Sequence, residues 1–169
     1  AFPADQAGVG LVLKCIRATS NATGWAALHD AIGGDPRIRV IDGSMSRARL
    51  LDLYRALDAF VSLHRSEGFG RNIAEAMLLG KPVIVSAHSG NMDFTDHCTA
   101  ALVPVRLDPV ARGEYPFGEG QMWGYPDVEA AAQAMQRMVN DRAWRESLAM
   151  RGREVIMKRF SPETVGHAW

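Results

Sequence analysis

Two carboxylates frame the stretch of this chain best suited to chemistry. Glu67 and Glu75 have seven residues between them, and that interval holds Gly68, Gly70, Arg71 and the start of a helical pattern. A helix that begins directly after a glycine turn, at the carboxyl end of a strand, aims unpaired N–H groups and a partial positive charge at whatever lies in front of it. Anions, phosphates above all, bind there. A carboxylate this close to a phosphate is repelled by it, so each glutamate must face groups that donate, such as the hydroxyls of a ribose or a sugar ring. A phosphate flanked by two polyols, as in a nucleotide sugar, satisfies both demands.

The elements that position these residues follow one another without spare length. Residues 59–63 (Ala-Phe-Val-Ser-Leu) are short, apolar and partly β-branched, as a strand buried on both faces should be. Gly68 and Gly70 permit backbone angles that side chains forbid. From Arg71 the pattern is helical, with Ile73, Ala76, Met77 and Gly80 on one face, and Gly80 followed by Pro82 ends it. Residues 82–86 (Pro-Val-Ile-Val-Ser) form the next strand. The loop after it, Ser86 to Phe94, should reach the same edge, because consecutive parallel strands deliver their carboxyl-end loops together.

The block from Glu67 through Gly-Phe-Gly, Glu75-Ala-Met and Gly80 to Pro82-Val-Ile resembles the signature of the retaining GT-B glycosyltransferases of family 4, the group 1 glycosyltransferases. Ser89-Gly-Asn-Met-Asp-Phe94 resembles their next loop, which faces the donor. Tyr115-Pro-Phe and residues 123–129 (Trp-Gly-Tyr-Pro-Asp-Val-Glu) resemble a subset of them. The likeness runs from about Val12 to about Phe160. It implies a Rossmann-like parallel sheet with flanking helices, half of a GT-B fold, spanning residues 1–169 as a partial carboxy-terminal nucleotide-sugar-binding domain. The implied order is 3-2-1-4-5-6 with the first, central strand absent. A gap of that kind would favour dimerisation or re-pairing of strands.

The resemblance also implies roles. Glu67 would lie by the transferred sugar as the catalytic carboxylate, and Glu75 would hold the donor ribose. Backbone N–H groups of Gly68, Phe69, Gly70, Arg71 and Asn72, and of Gly90, Asn91 and Met92, would hold the diphosphate and sugar. His64, Arg65 and Arg71 are near enough to donate to phosphate; His64 has a second reading, as a cap on the strand end. Gly43, Ser44 and Met45 either border a base pocket or form an ordinary capped turn. The donor substrate would be a nucleotide-diphosphate sugar with no further cofactor and no metal. The acceptor would be a glycan or lipid-linked, and the sugar a hexose, mannose among the options. The family's Arg and Lys for the diphosphate and its amino-terminal domain are missing; Lys14 sits inside a strand and does not replace them. The fragment alone should therefore bind donor and transfer little. Two other readings stay open: a non-catalytic nucleotide- or partner-binding module, and a GT-B epimerase. Dinucleotide binding is excluded by the lack of a third glycine after Gly70 and of an acidic residue after Val85.

Composition agrees with a soluble, cytoplasmic protein, with a peripheral position at the inner membrane open to the full enzyme. The 169 residues are 47% hydrophobic and 22% charged, with 19 basic against 19 acidic side chains, so no net field draws nucleic acid. Cys15, in an apolar strand, and Cys98, in a polar loop, have no metal or redox spacing and read as free thiols. Asp93 and Asp96 read as polar caps.

Elsewhere the pattern predicts the end of a helix and a turn over 1–7, a strand over 8–16, a helix over 25–32 and a strand over 36–41. A helix capped by Ser46 follows, with Leu50, Leu53, Tyr54 and Leu57 on one face. A last strand is predicted over 100–105, and residues 107–124 as a long loop, functional or mobile. A helix starting at Pro126-Asp127 comes next, then two further helical patterns, around Trp144 to Met150 and over 151–159. The stretch from Phe160 to Trp169 carries no readable pattern.

Overall fold

The computed structural model describes residues 1–3 and 5–166. The chain divides into two compact units, Phe2–Leu50 and Leu51–Trp169, with Ala1 grouped in the second.

In the first unit, β1 (Leu11–Cys15) and β2 (Ile38–Asp42) pair in parallel, from Leu11 opposite Ile38 to Cys15 opposite Asp42. They are joined through α1 (Ala22–Ile32). The Asn21 side chain caps α1 by accepting the Gly24 N–H at 2.9 Å, and Gly33 closes it in the left-handed region, at φ 58°. The helix end expected over residues 1–7 is not there: the described residues of that stretch form turns. Arg37 holds them, donating to the carbonyls of Pro3 at 2.7 Å and Gln6 at 3.1 Å while pairing with Asp35 at 2.6 Å. Ala4, within that stretch, lies outside the described residues. Lys14 Nζ donates to the carbonyls of Cys15, at 2.6 Å, and Gly43. After β2, Ser46 Oγ accepts the Arg49 N–H at 3.4 Å and α2 (Arg47–Ala56) begins, ending in the second unit.

The second unit is built on a parallel sheet of order β3-β4-β5, with β3 at Phe60–Ser62, β4 at Val83–Ser86 and β5 at Ala101–Val103. All four residues of central β4 are buried, because both faces are covered. Alternation along the strand sends Val83 and Val85 into a cluster with Ile73, Ala76, Met77, Phe94 and Ile156, and Ile84 into another with Ala131, Met138 and Leu148. The helices responsible are α3 (Arg71–Leu78), α4 (Val128–Asn140) and α5 (Arg142–Arg159). Numbered as in a doubly wound sheet, the two parallel sheets read 3-2 and 4-5-6, the internal order expected of each.

Two expectations are corrected here. Residues 107–124 are not simply a loop: β6 (Val105–Pro109) and β7 (Met122–Pro126) pair antiparallel, Val105 opposite Pro126 and Pro109 opposite Met122, so only the tip is irregular. The two helical patterns after Asn140 are one helix. Gly152, within it, is the point where α5 approaches its neighbours: a Cβ there would stand 3.1 Å from Met77 Cε and from the Thr99 carbonyl oxygen. A short helix, α6 (Pro162–Gly166), follows, and residues 167–169 lie outside the described set. Both cysteines are free thiols. Among the described residues no helix is long and apolar enough to cross a membrane.

Candidate functional site

The residues expected to hold the diphosphate, ribose and sugar all fall in the second unit, on the loops that follow β3 and β4 and on the first turns of α3. Gly70 starts α3 with φ 88°, and no side chain caps the helix. A Cβ at Gly70 would meet Ile73, Phe94 and Asn91 at 3.2 to 3.4 Å, so glycine is required both for the angle and for the space. The Phe69 ring packs 5.1 Å from Phe94 and 5.3 Å from Phe160 between centroids but stays 41% exposed. Those ring contacts tie the turn to the protein, while the turn still presents part of an aromatic face beside its backbone.

The loop after β4 is fastened to the Glu67 turn. Glu67 donates its N–H to Ser89 Oγ at 2.8 Å, and its carbonyl accepts the Gly90 N–H at 3.0 Å. Ser89 holds φ 68° and ψ −153°, a region that costs a residue with a side chain on the order of 1–3 kcal/mol. Its hydroxyl offsets that cost, since it also donates to the His88 carbonyl at 2.6 Å. The two backbones are so close that a Cβ on Gly90 would lie 1.8 Å from the Gly68 carbonyl oxygen. Gly90–Asp93 then makes a 3-10 turn in which Met92 is exposed and Asn91 wholly buried.

Asn91 is the hub beneath. Its amide donates to the Ser86 carbonyl at 3.0 Å and to Thr95 Oγ1 at 3.1 Å, and its oxygen faces His64 Nε2 at 3.0 Å. His64 Nε2 also lies 3.0 Å from the His88 carbonyl oxygen. Two acceptors at one nitrogen assign the proton to Nε2, leaving Nδ1 to accept from Ser62 Oγ at 3.1 Å. Both ring nitrogens of His64 are thus committed within the protein, the geometry of its strand-end reading.

The two glutamates occupy different surroundings. Glu67 is half-buried and curls one carboxylate oxygen back to its neighbour's N–H, Gly68, at 3.2 Å. Glu75, on the second turn of α3, is 11% exposed and pairs with Arg71 at 2.9 Å; Arg71 itself is 73% exposed. An ion pair with so open a partner contributes little to stability and leaves Arg71 able to swing to another anion. Burial, followed by the Glu75 charge, raises the pKa of Tyr54 on α2 above its ordinary value. Asn72 is exposed at the head of α3. Asp96 accepts the N–H groups of Cys98 and Thr99 at 2.8 and 3.0 Å, as a polar cap does. Among the described residues no group of three or more His, Cys, Asp or Glu side chains is placed to hold a metal. Gly43, Ser44 and Met45 lie in the first unit, after β2.

Arg65, expected to donate to phosphate, is instead packed against two aromatic rings. Its guanidinium carbon sits 3.9 Å from the Trp123 ring centre and 4.5 Å from that of Tyr125, and Nη2 donates to the Tyr125 hydroxyl. Its carbonyl accepts the Gly124 N–H at 2.8 Å. The available signal is Trp123 and Tyr125 at i and i+2 about a glycine, two aromatics on one face of a strand. Ser89 is likewise visible in the sequence only as part of a motif.

An α/β unit whose parallel strands deliver a glycine turn, an uncapped helix start and a second, fastened loop to one edge has the fold of the GT-B glycosyltransferases. Residues 30–110 match the family model described as Glycosyl transferases group 1. The capsular polysaccharide biosynthesis glycosyltransferase CapM of Staphylococcus aureus is 28% identical over 115 residues, 68% of this chain and 25% of that protein. Among solved structures, Anabaena Alr3699/HepE in complex with UDP-glucose aligns with TM-score 0.73 and 21% identity, over 96% of this chain and 40% of that one. The carboxy-terminal domain of the group 1 protein LpcC of Francisella tularensis aligns with TM-score 0.67 and 17% identity, over 91% and 87% of the two chains. This chain therefore spans about a quarter of the curated relative and two fifths of the first of these structures.

Proposed function

We propose that this chain is the donor-binding part of a glycosyltransferase that takes a sugar from a nucleotide-diphosphate sugar. The observation that carries the reading is the fastening of the Glu67-Gly68 turn to Ser89-Gly90 in front of an uncapped helix that bears Glu75 one to two turns in. It presents backbone donors from two loops at one edge and two carboxylates of different burial. The family match over residues 30–110 and a structural neighbour crystallised with UDP-glucose support the same ligand class.

In this reading Glu75 accepts from the ribose hydroxyls and Glu67 from the hydroxyls of the transferred sugar. The N–H groups of residues 69–72 hold the diphosphate, and the loop of residues 90–92 borders the transferred sugar, the Gly90 and Met92 N–H groups themselves being spent on the Glu67 and Ser89 carbonyls. As the bond between the anomeric carbon and the phosphate oxygen breaks, its electron pair stays with that oxygen, while an acceptor hydroxyl oxygen bonds to the anomeric carbon and its proton passes to the departing phosphate. The start of α3 stabilises the charge that develops there. Glu67 steadies the positive charge on the sugar ring. Arg71, released from Glu75, closes over the diphosphate, and His64 positions the two loops. The proposed enzyme is retaining and of family 4, needs no cofactor, works in the cytoplasm on a glycan or lipid-linked acceptor and transfers a hexose. An amino-terminal domain would complete the cleft; the LpcC domain that this chain resembles is likewise the carboxy-terminal part of its protein.

The test is a thermal-shift and calorimetric screen of the chain against UDP, GDP and ADP and their glucose or mannose derivatives, repeated with Glu75→Ala. Binding of one nucleotide, lost in the variant, is the expected result. Absence of binding at millimolar concentration by a folded chain would sink the reading.

A further inference from the structure

The β6–β7 hairpin has no task in the donor reading, yet it is attached to both loops of the site. Arg65, two residues before Glu67, is held between Trp123 and Tyr125 and bonded to the Tyr125 hydroxyl. The backbone adds the Gly124 N–H to the Arg65 carbonyl at 2.8 Å. On the other loop, His88, the residue before Ser89, lies against β7: a Cβ at Gly124 would stand 2.9 Å from its ring. The hairpin thus meets the residues that precede Glu67 and those that precede Gly90. Its own sheet is separate from β3-β4-β5, so these contacts, with the Asp127 N–H to the Pro104 carbonyl at 2.8 Å, fix where it sits.

Arg65 Nε is buried and has no hydrogen-bond partner among the described residues. A lone phosphate contact does not explain a guanidinium inserted between two rings with one N–H unmet. A stacking role does, because the planar cation gains from both aromatic groups at once and a lysine in its place would not.

We propose that Arg65 is a positioning residue, and that its aromatic slot in the β6–β7 hairpin holds the Glu67 turn and the Ser89-Gly90 turn in register for the sugar half of the donor. The inference rests on the donor reading for its ligand and on the hairpin contacts for its mechanics. Nucleotide contacts made by α3 lie beyond the clamp. Contacts to the transferred sugar depend on where Glu67 and Gly90 stand, and small displacements of such groups are costly.

Two measurements on the full chain test it, with Arg65→Ala, Arg65→Lys and Trp123→Ala. In amide hydrogen exchange, all three variants should quicken residues 66–70 and 88–92 about tenfold or more while β4 and α5 keep their protection. In calorimetry, the ratio of the Kd for UDP to that for UDP-glucose, or for GDP to GDP-mannose, should fall about tenfold while diphosphate affinity stays within about threefold. Unchanged exchange in either loop overturns the clamp. Quickened exchange with a parental ratio overturns the positioning role, and so does a ratio restored by Arg65→Lys, which would make the residue a point charge. If the unaltered chain binds none of the four ligands, the donor reading fails and takes the positioning role with it, a result distinct from binding that the variants leave untouched.

Discussion

At Gly90 an added methyl would stand 1.8 Å from the Gly68 carbonyl oxygen, 2.5 Å from the carbonyl carbon and 3.0 Å from the Glu67 oxygen. All three are backbone atoms, so no rotamer change relieves the contact. Gly90→Ala must part the two loops by more than an ångström, and that opens the bonds from Glu67 N–H to Ser89 Oγ and from Gly90 N–H to the Glu67 carbonyl. Two such bonds contribute about 0.5–1.5 kcal/mol each, and forced displacement adds about 1–3 kcal/mol, for a loss of about 4 kcal/mol. In a chain of this size that lowers the Tm by roughly 8–16 °C. Gly68→Ala is the matched control: its Cβ meets nothing within 4 Å, so Tm should hold, while its methyl enters the open space in front of the turn and donor affinity should fall. Calorimetric melting of both variants, with nucleotide titration, separates the effects. A Gly90→Ala variant as stable as the parent, or a Gly68→Ala variant that melts alongside it, would refute the close approach of the two loops.

Asn91→Leu takes the amide donor from the Ser86 carbonyl and one of two partners each from Thr95 Oγ1 and His64 Nε2, and should cost about 2–4 kcal/mol in urea denaturation, against near-parental behaviour if Asn91 merely fills space. Phe69→Ala removes ring contacts at 5.1 and 5.3 Å; a loss of about 1–2 kcal/mol with weakened nucleotide binding is expected, and undiminished affinity would show that the turn holds itself. Asp35 titrates at about 2 rather than 3.8, because the Arg37 side chain and backbone N–H both donate to its carboxylate. A depressed folded pKa means that its stabilisation is complete above about pH 4 and is lost as pH falls toward 2. The Asp35 carboxyl carbon shift should report that midpoint by NMR, and in Arg37→Ala the midpoint should return toward 3.8.

The unit from β3 to β4 is legible almost residue by residue, since an apolar run, a glycine turn and a helical stripe are local signals that agree with one another. Residues 59–63, 71–80 and 82–86 read as strand, helix and strand, against Phe60–Ser62, Arg71–Leu78 and Val83–Ser86. The hairpin is not legible. Residues 122–126 contain a glycine and a proline, and β7 becomes a strand only by pairing with 105–109 across a twelve-residue connection. The continuity of α5 is hidden for a related reason: its place against Met77 and Thr99, which meet at Gly152, is a tertiary contact and not a local signal. At the site, spacing points to Glu67, Glu75 and the glycines between them. It gives no sign that His64 and Asn91 spend their polar atoms on each other and on the backbone, because that depends on residues 24 and 27 positions away.

The aromatic slot also carries a consequence for how the molecule comes together. Arg65 and Tyr125 are 60 residues apart in sequence, so their meeting closes a long loop and gains nothing until β3, β4 and β5 have already brought both ends near. The Glu67 turn is then among the last parts to acquire its final shape. During refolding, the nucleoside diphosphate should be captured as soon as secondary structure is complete, and the added affinity for the sugar should appear only after the interval the hairpin takes to dock.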